Sequence, residues 1–376
     1  MPKILNRLNR MGGRRAGFTM LELVIVIAIM AVLSTVGFVS LSGFRGKQNL
    51  KKTTDELVAV IVGTQKRSIS QDAGNRWNIR FSNTTSSGSQ YIVFSGTTYA
   101  TSAIDRTYGL NRGIVFSEPY SSSTFDAFFA PFTGTLPSKK IISMVTGRQD
   151  GFVGDILLNT VGRVEGRIES GLVGYWHFDE NTSTTVYDAS GFGNNGVLVN
   201  TPTWQTGTNC ISGSCLNFVN TSSQYVNVTN IPNLPSFTMS AWVNGSAAGY
   251  EAIARVIDGS SYGFEIDTAP AGTLRARFDT SSLTNQVVSN TQNVKDGAWH
   301  HVALTYDASS KAGIVYADGI ASSPLTITGT LPTTFSETRI AYLGWGNYWN
   351  GKIDEVRIYN RALSATEILN MYNDLK

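Results

Sequence analysis

Hydrophobic and polar positions divide this chain of 376 residues into three stretches of different pattern. In the first stretch, residues 23–44 form 22 consecutive positions without a charge. As a helix rising about 1.5 Å per residue, they would extend roughly 33 Å, which is enough to cross the hydrocarbon layer of a bilayer. From residue 46 to about residue 71, apolar side chains recur at helical spacing, which predicts a continuing helix with one apolar face.

Strand-like runs separated by turns follow this helix as far as residue 169. The runs are WNIRFS, YIVFS, GIVFSE, DAFFAPFTG, KIISMV and GDILLNTVGRVEG. The turns between them are rich in Gly, Ser, Thr, Asn and Pro. This pattern predicts a small α+β head over residues 45–170, in which the amphipathic helix packs on an antiparallel meander.

From residue 171 onward the strand-like runs are short and numerous, as in GYWHFDE, FTMSAWVN, HHVALTYD and KIDEVRIYN. Many short strands with turn punctuation predict an all-β sandwich of jelly-roll type. The last run, ALSATEILNMYNDL, predicts a helix. Ser364 is the expected N-cap of this helix, and Glu367 completes a capping box.

Charge is divided unevenly along the chain, although the formal total is only +3. Residues 1–17 carry +5, residues 18–170 carry +4 and residues 171–376 carry −6. A basic segment before an apolar span keeps the amino terminus in the cytoplasm, so we expect a single-pass anchor with the remainder outside. Without residues 1–17, the other 359 residues carry −2, and we expect no nucleic-acid partner.

One charged residue, Glu22, lies at the start of the apolar stretch, where an unpaired carboxylate is costly. If the chain is cut after Gly17, the new amino group of Phe18 lies one helical turn before Glu22, or on a neighbouring subunit, and pairs with it. A secretory signal peptide is disfavoured because its apolar region is shorter and its small residues follow that region. An ordinary signal anchor is the alternative.

The segment RRAGFTMLELVIVIAIMAVL resembles the class III signal of type IV prepilins and pseudopilins. The resemblance implies cleavage between Gly17 and Phe18 by the prepilin peptidase and N-methylation of Phe18. It also implies that Glu22 registers each subunit against the amino terminus of its neighbour. The helix of residues 18–44 would then hold the subunit in the inner membrane and later pack with other pilin subunits in a filament core.

Two further segments resemble known families. Residues 45–170 resemble the globular part of minor pseudopilins, in FDAFFAPFTGTLP and ILLNTVGRVEG. Residues 171–376 resemble a concanavalin A-like laminin G domain, in LVGYWHFDEN, VYDASGFGNNGVL, DGAWHHVALTYD and WNGKIDEVRIYNRALSATEI. The second likeness implies two facing antiparallel sheets, a binding or adhesion role and a bound calcium ion.

Calcium prefers several oxygen ligands held on flexible turns. Asp188 and Asn194 lie in the Gly-rich loop DASGFGNN, and Asp354 lies in KIDEV. These two segments are close together in the laminin G family. The resemblance therefore predicts that Asp188, Asn194 and Asp354 are ligands of a structural calcium ion. The alternative is an Asx turn at Asp188 and a surface ion pair at Asp354.

Cys210 and Cys215 are the two cysteines, and in an exported domain they are expected to form a disulfide. The enclosed loop is short, so the bond would stiffen a turn rather than hold the sandwich together. Exposed loop aromatics are the candidates for ligand binding, because sugar rings and peptide side chains both stack on them. We predict Trp345 and Tyr348 as ligand contacts and Trp349 as a core residue.

The sequence is not expected to encode an enzyme. His300 and His301 are adjacent in a strand, so one faces the core and the other faces outward. Glu265 and Asp267 in FEIDT are similar to the acidic start of some concanavalin A-like glycosidases, but no second Glu follows at the required short spacing. Retaining hydrolysis needs two carboxyl groups about 5 Å apart.

These observations favour an exported type IV pilus or pseudopilus subunit that displays a laminin G-like domain for adhesion to surface glycans or proteins. One alternative is a type II secretion pseudopilin that recognises a secreted substrate, and another is a polysaccharide-active enzyme. A sandwich of 206 residues on every subunit would crowd a filament of identical copies. A minor or tip position is therefore expected.

Overall fold

The computed structural model describes residues 20–376 apart from 85–87, 148–150, 230, 232, 247–248 and 345. For residues 31–42 and 229 it describes the backbone and not the side chains. The predicted processing residues Gly17 and Phe18 and the predicted ligand contact Trp345 therefore lie outside the described residues. So do the side chains of residues 31–42, within the predicted membrane span.

Helix α1 runs from Met20 to Ile69. Its later part has one buried face, where Leu50, Leu57 and Ile61 are completely covered by the strands that follow. The predicted amphipathic helix is thereby confirmed. No helix in the described part of the chain is both long and apolar enough to cross a membrane.

The chain forms two compact units, residues 1–46 and residues 47–376. The second unit contains both the head, up to residue 170, and the sandwich that follows it. Short 3-10 turns within it lie at Asp72–Gly74, Tyr99–Thr101, Gly207–Asn209 and Asn220–Ser222.

The head places two antiparallel sheets beside α1. Its described strands are β1 (Trp77–Thr84), β2 (Gly88–Ser95), β3 (Ala103–Gly109), β4 (Ile114–Glu118), β5 (Ser123–Phe128), β6 (Lys140–Thr146), β7 (Phe152–Leu158) and β8 (Val164–Ser170). The first head sheet has the order β3-β2-β1-β5, and the second head sheet has the order β4-β6-β7-β8.

The predicted meander is wrong, because the chain changes sheet at β4, returns at β5 and changes again at β6. Strand β3 was not expected from the sequence either. Its side chains are almost all exposed, so it lacks the apolar alternation by which a strand is recognised. Alternation of apolar and polar residues indicates that a strand has one buried face. It does not indicate which strand lies beside it, so the strand order could not be predicted.

The sandwich begins after Gly171. Its described strands are β9 (Leu172–Trp176), β10 (Thr185–Val186), β11 (Gly196–Val199), β12 (Thr203–Thr206), β13 (Ser214–Phe218), β14 (Tyr225–Thr229), β15 (Phe237–Gly245), β16 (Glu251–Ile257), β17 (Gly263–Thr268), β18 (Thr273–Asp279), β19 (Gln286–Asn293), β20 (His300–Asp307), β21 (Ala312–Ala317), β22 (Ile320–Ala321), β23 (Leu325–Thr326), β24 (Glu337–Ile340) and β25 (Gly351–Tyr359).

Two facing antiparallel sheets form the sandwich, as predicted. The outer sheet has the order β10-β11-β14-β24-β16-β17-β18-β19. The inner sheet has the order β12-β13-β25-β15-β20-β21-β22, with β9 paired to β25 and β23 paired to β21. Apolar side chains of both sheets meet between them, among them Trp176, Phe237 and Trp349.

Helix α2 (Ala365–Leu375) follows the last strand. Its N-cap is Ser364, and the capping box with Glu367 is present, as the sequence predicts. The buried face of α2 packs on the side of the inner sheet that points away from the sandwich core. The buried side chains of this helix are Ile368, Met371 and Leu375.

Strands β6 and β7 of the second head sheet are buried on both faces. One face packs on α1 through Ile142, Met144 and Ile156. The other face packs on the inner sheet and on α2. In that second contact, Val145 and Val153 cluster with Tyr175, Tyr359 and Met371, and Ile141 and Leu157 cluster with Trp242 and Leu375. The head and the sandwich are therefore joined by two apolar clusters.

One buried group of ion pairs and one partly exposed ion pair cross the same interface. The Nζ atom of Lys140 lies 2.8 Å from Oε1 of Glu118 in the head and also bonds Asp179 in the sandwich. Burial lowers the pKa of Lys140, but the two carboxylates outweigh it and hold that pKa above its ordinary value. Arg167 of β8 bonds Asp374 of α2. Charge pairing thus complements apolar packing in this interface.

Replacing Lys140 with Met is expected to lower the free energy of unfolding by about 3 kcal/mol, because two buried carboxylates would lose their counter-ion. Urea unfolding of the full chain measures the change. The matched control is Lys51→Met, whose ion pair with Asp55 is exposed and contributes less than about 1 kcal/mol. Equal destabilisation by the two substitutions would contradict the buried role of Lys140.

Candidate functional site

The outer sheet has one face in the sandwich core and one face turned away from it. On β17, Phe264 and Ile266 enter the core, so Glu265 and Asp267 lie on the opposite face. The described contacts between head and sandwich fall on the inner sheet, on α2 and on neighbouring loops. The outer sheet is therefore the sheet that the head leaves available.

A row of polar residues crosses this outer face. Asn227 of β14 pairs with Arg339 of β24, which pairs with Arg255 of β16. Arg255 pairs with Glu265, and Glu265 pairs with Arg277 of β18. Directly paired residues of antiparallel strands project to the same side, so these five side chains lie next to one another. Arg255 and Glu265 are buried within the row, whereas Asn227, Arg277 and Arg339 are half-buried and leave amide and guanidinium groups at the surface.

Two arginines hold Glu265. Its carboxylate oxygens lie 3.2 Å from Nε of Arg255 and 3.0 Å from Nε of Arg277. Burial raises the pKa of Glu265 to about 7, and the two guanidinium groups oppose that rise. Asp267 is paired in the same way with Arg275. Both acids of FEIDT are thus engaged with arginines.

A group of three tyrosines borders this polar row. The rings of Tyr342 and Tyr348 are stacked with centroids 4.3 Å apart, and the ring of Tyr225 lies 5.1 Å from that of Tyr342. All three side chains are half-buried. The guanidinium carbon of Arg339 lies 5.0 Å from the centre of the Tyr342 ring, which joins this tyrosine group to the row.

A tight turn brings Tyr348 back onto Tyr342. Gly344 and Gly346 have φ values of 99° and 82°, a backbone region that favours glycine. Trp349, the next residue along the chain, is completely buried in the sandwich core, as predicted.

The predicted ligand contact Tyr348 therefore belongs to an aromatic group on the outer face. The sequence prediction missed Tyr342 and Tyr225. Tyr342 could have been suspected from its place in YLGWGNY, because a Gly-rich turn can bring its two tyrosines together. Tyr225 lies 117 positions before Tyr342, and only the pairing of β14 with β24 brings them together.

Backbone N–H groups surround the predicted calcium ligand Asp188. Oδ1 accepts from Tyr175 and Ser190 at 3.0 and 2.9 Å, and Oδ2 accepts from Asn194 at 2.9 Å. The bond from Ser190, two residues further on, is an Asx turn, the alternative expected from the sequence. The side-chain amide of Asn194 donates to the carbonyl of Val173 at 2.7 Å. These bonds order the DASGFGNN loop.

Asp354 is also held by backbone N–H groups, from Ile211 and Ser212 at 3.2 Å and from Glu355 at 2.9 Å. It is completely buried, so the surface ion pair expected as its alternative role is wrong. Burial raises the pKa of Asp354 well above its ordinary range, and nearby carboxylates add to the rise.

The three predicted calcium ligands each form hydrogen bonds within the protein. Asp188 and Asp354 share none of the hydrogen-bond partners described above, and each carboxylate accepts from backbone N–H groups. Within the described ranges, no group of three or more His, Cys, Asp and Glu side chains is placed to hold a metal ion. Calcium binding stays a prediction, and the hydrogen bonds of these two carboxylates do not favour it.

Cys210 and Cys215 form the predicted disulfide, with Cα atoms 5.4 Å apart. The enclosed loop supplies two of the three N–H groups that bind Asp354, those of Ile211 and Ser212. Its Gly213 N–H donates to the carbonyl of Lys139 in the head at 2.9 Å. The disulfide therefore stiffens a loop that donates hydrogen bonds both to the buried carboxylate of Asp354 and to the head.

The adjacent histidines face opposite sides, as predicted. His301 is completely buried, and among the described residues neither of its ring nitrogens has a hydrogen-bond partner. Burial lowers the pKa of His301 to about 3, so its imidazole is neutral. His300 bonds Asp318 and Asp296 at 2.8 and 2.9 Å, and its pKa is raised, chiefly by the bond to Asp318.

His177 lies in a buried polar chain that has the order of a catalytic triad. Its Nε2 is 3.1 Å from Oγ of Ser143, and its Nδ1 is 3.1 Å from Oε1 of Glu355. Ser143, however, donates its own proton to Asp155 at 2.6 Å. Ser143 and Glu355 are completely buried and His177 is 2% exposed, so this chain of bonds joins the head to the sandwich rather than serving a substrate.

The two ends of the chain match two known families. Residues 13–38 match the prokaryotic N-terminal methylation motif, a range that includes Gly17, Phe18 and Glu22. Glu22 itself is exposed in the first turn of α1. Residues 220–369 match a laminin G family of the concanavalin A-like lectin/glucanases superfamily. That second range contains the three tyrosines and the whole polar row.

The chain carries a type IV pilin-like methylation motif and a concanavalin A-like laminin G domain. The motif implies export, processing by the prepilin peptidase and assembly with pilins. The concanavalin A-like domain is the sandwich described above, mounted on the head through its inner sheet. No curated protein matches this chain by sequence.

Solved structures similar to the chain include domain 4 of AbnA, a GH43 extracellular arabinanase from Geobacillus stearothermophilus, solved with arabinotriose. It is 18% identical with a TM-score of 0.43, and the match covers 54% of this chain and 98% of that one. The binding domain of Paraclostridial Mosquitocidal Protein 1 is 15% identical with a TM-score of 0.42, covering 54% and 52%.

The binding domain of botulinum neurotoxin DC, solved with rat synaptotagmin II, is also similar. It is 15% identical with a TM-score of 0.44, and the match covers 55% of this chain and 52% of that one. The chain thus spans about half the length of the two toxin domains that it matches.

Stability is expected to fall as the pH drops below 6.5, in part because of His301. The unfolded chain takes up a proton at an ordinary histidine pKa, whereas folded His301 does so only near pH 3. His301→Phe should therefore reduce the loss of unfolding free energy between pH 7 and pH 4.5, measured with urea. The control His300→Gln should not reduce this loss. The pKa of folded His300 is raised, so its protonation stabilises the folded chain at low pH. An unchanged loss in His301→Phe would contradict the assignment.

Proposed function

We propose that this protein is an exported pilin-like subunit that displays a carbohydrate-binding domain at a minor or tip position of a filament. The methylation motif supports the first part of this proposal. The concanavalin A-like domain supports the second part. The position of the outer sheet relative to the head connects the two parts, and it is the observation that carries the proposal.

The head occupies the inner sheet and α2, and it leaves the outer face of the outer sheet available. That face combines stacked rings with hydrogen-bonding groups. Tyr342 and Tyr348 present aromatic surface on which a sugar ring can stack. Beside them, Oδ1 of Asn227 is buried and has no hydrogen-bond partner among the described residues. If the half-buried side chain of Asn227 turns outward, a sugar hydroxyl can satisfy this acceptor.

Binding without catalysis is the activity proposed for this face. Hydrolysis with retention needs one carboxylic acid and one free carboxylate about 5 Å apart. Glu265 is held between Arg255 and Arg277, and Asp267 is paired with Arg275. These pairings favour a fixed recognition surface over an acid and a nucleophile.

The head and the sandwich are joined by two apolar clusters and by buried ion pairs, so the sandwich cannot swing freely on a linker. A domain of 206 residues held in this way beside each subunit would hinder close packing of identical copies. This steric argument supports the minor or tip position.

The double substitution Tyr342→Ala/Tyr348→Ala is expected to weaken glycan binding roughly tenfold, corresponding to about 1.4 kcal/mol, because stacking surface is lost. A glycan array of the full chain identifies the glycan, and calorimetry measures its Kd. The matched control is Phe132→Ala, an aromatic side chain of the head that is 72% exposed. An unchanged Kd in the double variant, or selective binding of a secreted protein instead of glycans, would contradict the proposal.

Glu22→Ala is expected to leave cleavage after Gly17 intact but to reduce incorporation into filaments, because the neighbouring amino terminus loses its carboxylate partner. Immunoblots of sheared filaments and of membranes measure incorporation and processing. The control is Glu56→Ala, which removes an exposed carboxylate further along α1. Normal recovery of Glu22→Ala in sheared filaments would contradict the assembly role.

A further inference from the structure

A cavity of about 410 Å³ opens where the head meets the sandwich, away from the outer face. The head contributes Glu118, Tyr120 and Lys140 to its lining, and the sandwich contributes Asp179 and Glu180. Its size is within the usual range for a small-molecule site. Three carboxylates and one ammonium group therefore line a single cavity.

The four charges are not equally satisfied. Lys140 already bonds both Glu118 and Asp179. Glu180 is only 6% exposed. Its Oε1 accepts the N–H of Tyr187 at 2.7 Å, but its buried Oε2 has no hydrogen-bond partner among the described residues. A buried carboxylate oxygen without a donor is costly, so Glu180 provides a place for a positively charged donor.

Burial and neighbouring carboxylates both disfavour the ionised form of Glu180. Burial raises its pKa to about 8, and the charges of Glu118 and Asp179 add to the rise, although the bond from Tyr187 opposes it. A cation beside Oε2 would remove this penalty by stabilising the ionised form.

An aromatic ring lies at the same cavity. Tyr120 lines it and stacks on Tyr187, with ring centroids 4.7 Å apart. An aromatic face attracts an organic cation, and a carboxylate supplies the charged hydrogen bond. One tyrosine comes from the head and the other from the sandwich, so the stacked pair bridges the two parts.

A divalent metal ion suits this cavity less well than an organic cation. Calcium takes six to eight oxygen ligands. Here the ammonium group of Lys140 already binds two of the three carboxylates, which leaves too few free oxygen ligands for a calcium ion. One carboxylate oxygen and one ring remain, and these match a single ammonium group.

We propose that this cavity binds a primary ammonium group through Glu180 and Tyr120, supplied by a free amine or by a lysine side chain of a partner. The site is separate from the outer face and does not depend on glycan binding.

Calorimetry of the full chain with n-butylamine tests the shared chemistry, with n-butanol as an uncharged probe of similar shape. We expect butylamine to bind at least tenfold more tightly than butanol. Glu180→Gln should lose that preference, because the amide can still accept the Tyr187 N–H but carries no charge. The matched control, Glu165→Gln, removes a carboxylate outside this cavity and should retain the preference.

Two further ligands distinguish the sources of the amine. Putrescine represents a free amine, and the blocked peptide acetyl-Gly-Lys-Gly-amide represents a lysine side chain. Tighter binding of either one supports the site and identifies its source. Equal binding of butylamine and butanol by the unsubstituted chain would overturn the proposal, whether or not the Glu180 variant folds. An undiminished preference in folded Glu180→Gln would overturn it as well.

Discussion

Strands β6 and β7 have to satisfy two partners at once, because α1 packs on one of their faces and the sandwich packs on the other. Alternate side chains of β7 pack against these two partners. Ile156 points to the helix, whereas Val153 and Leu157 point to the inner sheet and α2. A substitution on either face of β7 therefore alters the packing of a sheet that contacts both α1 and the sandwich. The placement of the sandwich follows from this sheet.

Polar groups at the same interface determine how the two halves meet. A buried ion pair adds little net stability over apolar packing, but a misplaced interface would leave its charges unpaired at a cost of several kcal/mol. Lys140, His177 and Glu355 are such groups. Burial alone lowers the pKa of His177, yet the charge of Glu355 and its hydrogen bond raise it above the ordinary value. These pairs favour a single docked arrangement.

The proposed function depends on which sheet of the sandwich the head does not cover. The head occupies the inner sheet and α2, so in the proposed function the ligand binds the outer sheet with its tyrosines and its row of arginines. The seam between the two halves leaves a second feature, the cavity at Glu180. Both places are made by residues that are far apart in the chain.

The sequence by itself determined features that depend on neighbouring residues. The buried face of α1, the cap at Ser364, the disulfide and the core position of Trp349 all follow from local spacing or chemistry. The tertiary structure decided which elements meet. In the folded chain, the carboxylates of Asp188 and Asp354 accept hydrogen bonds from backbone N–H groups, and Tyr225 lies beside Tyr342. Periodicity along a chain reports that a side chain is buried, whereas its partner depends on strand order, which no local pattern records.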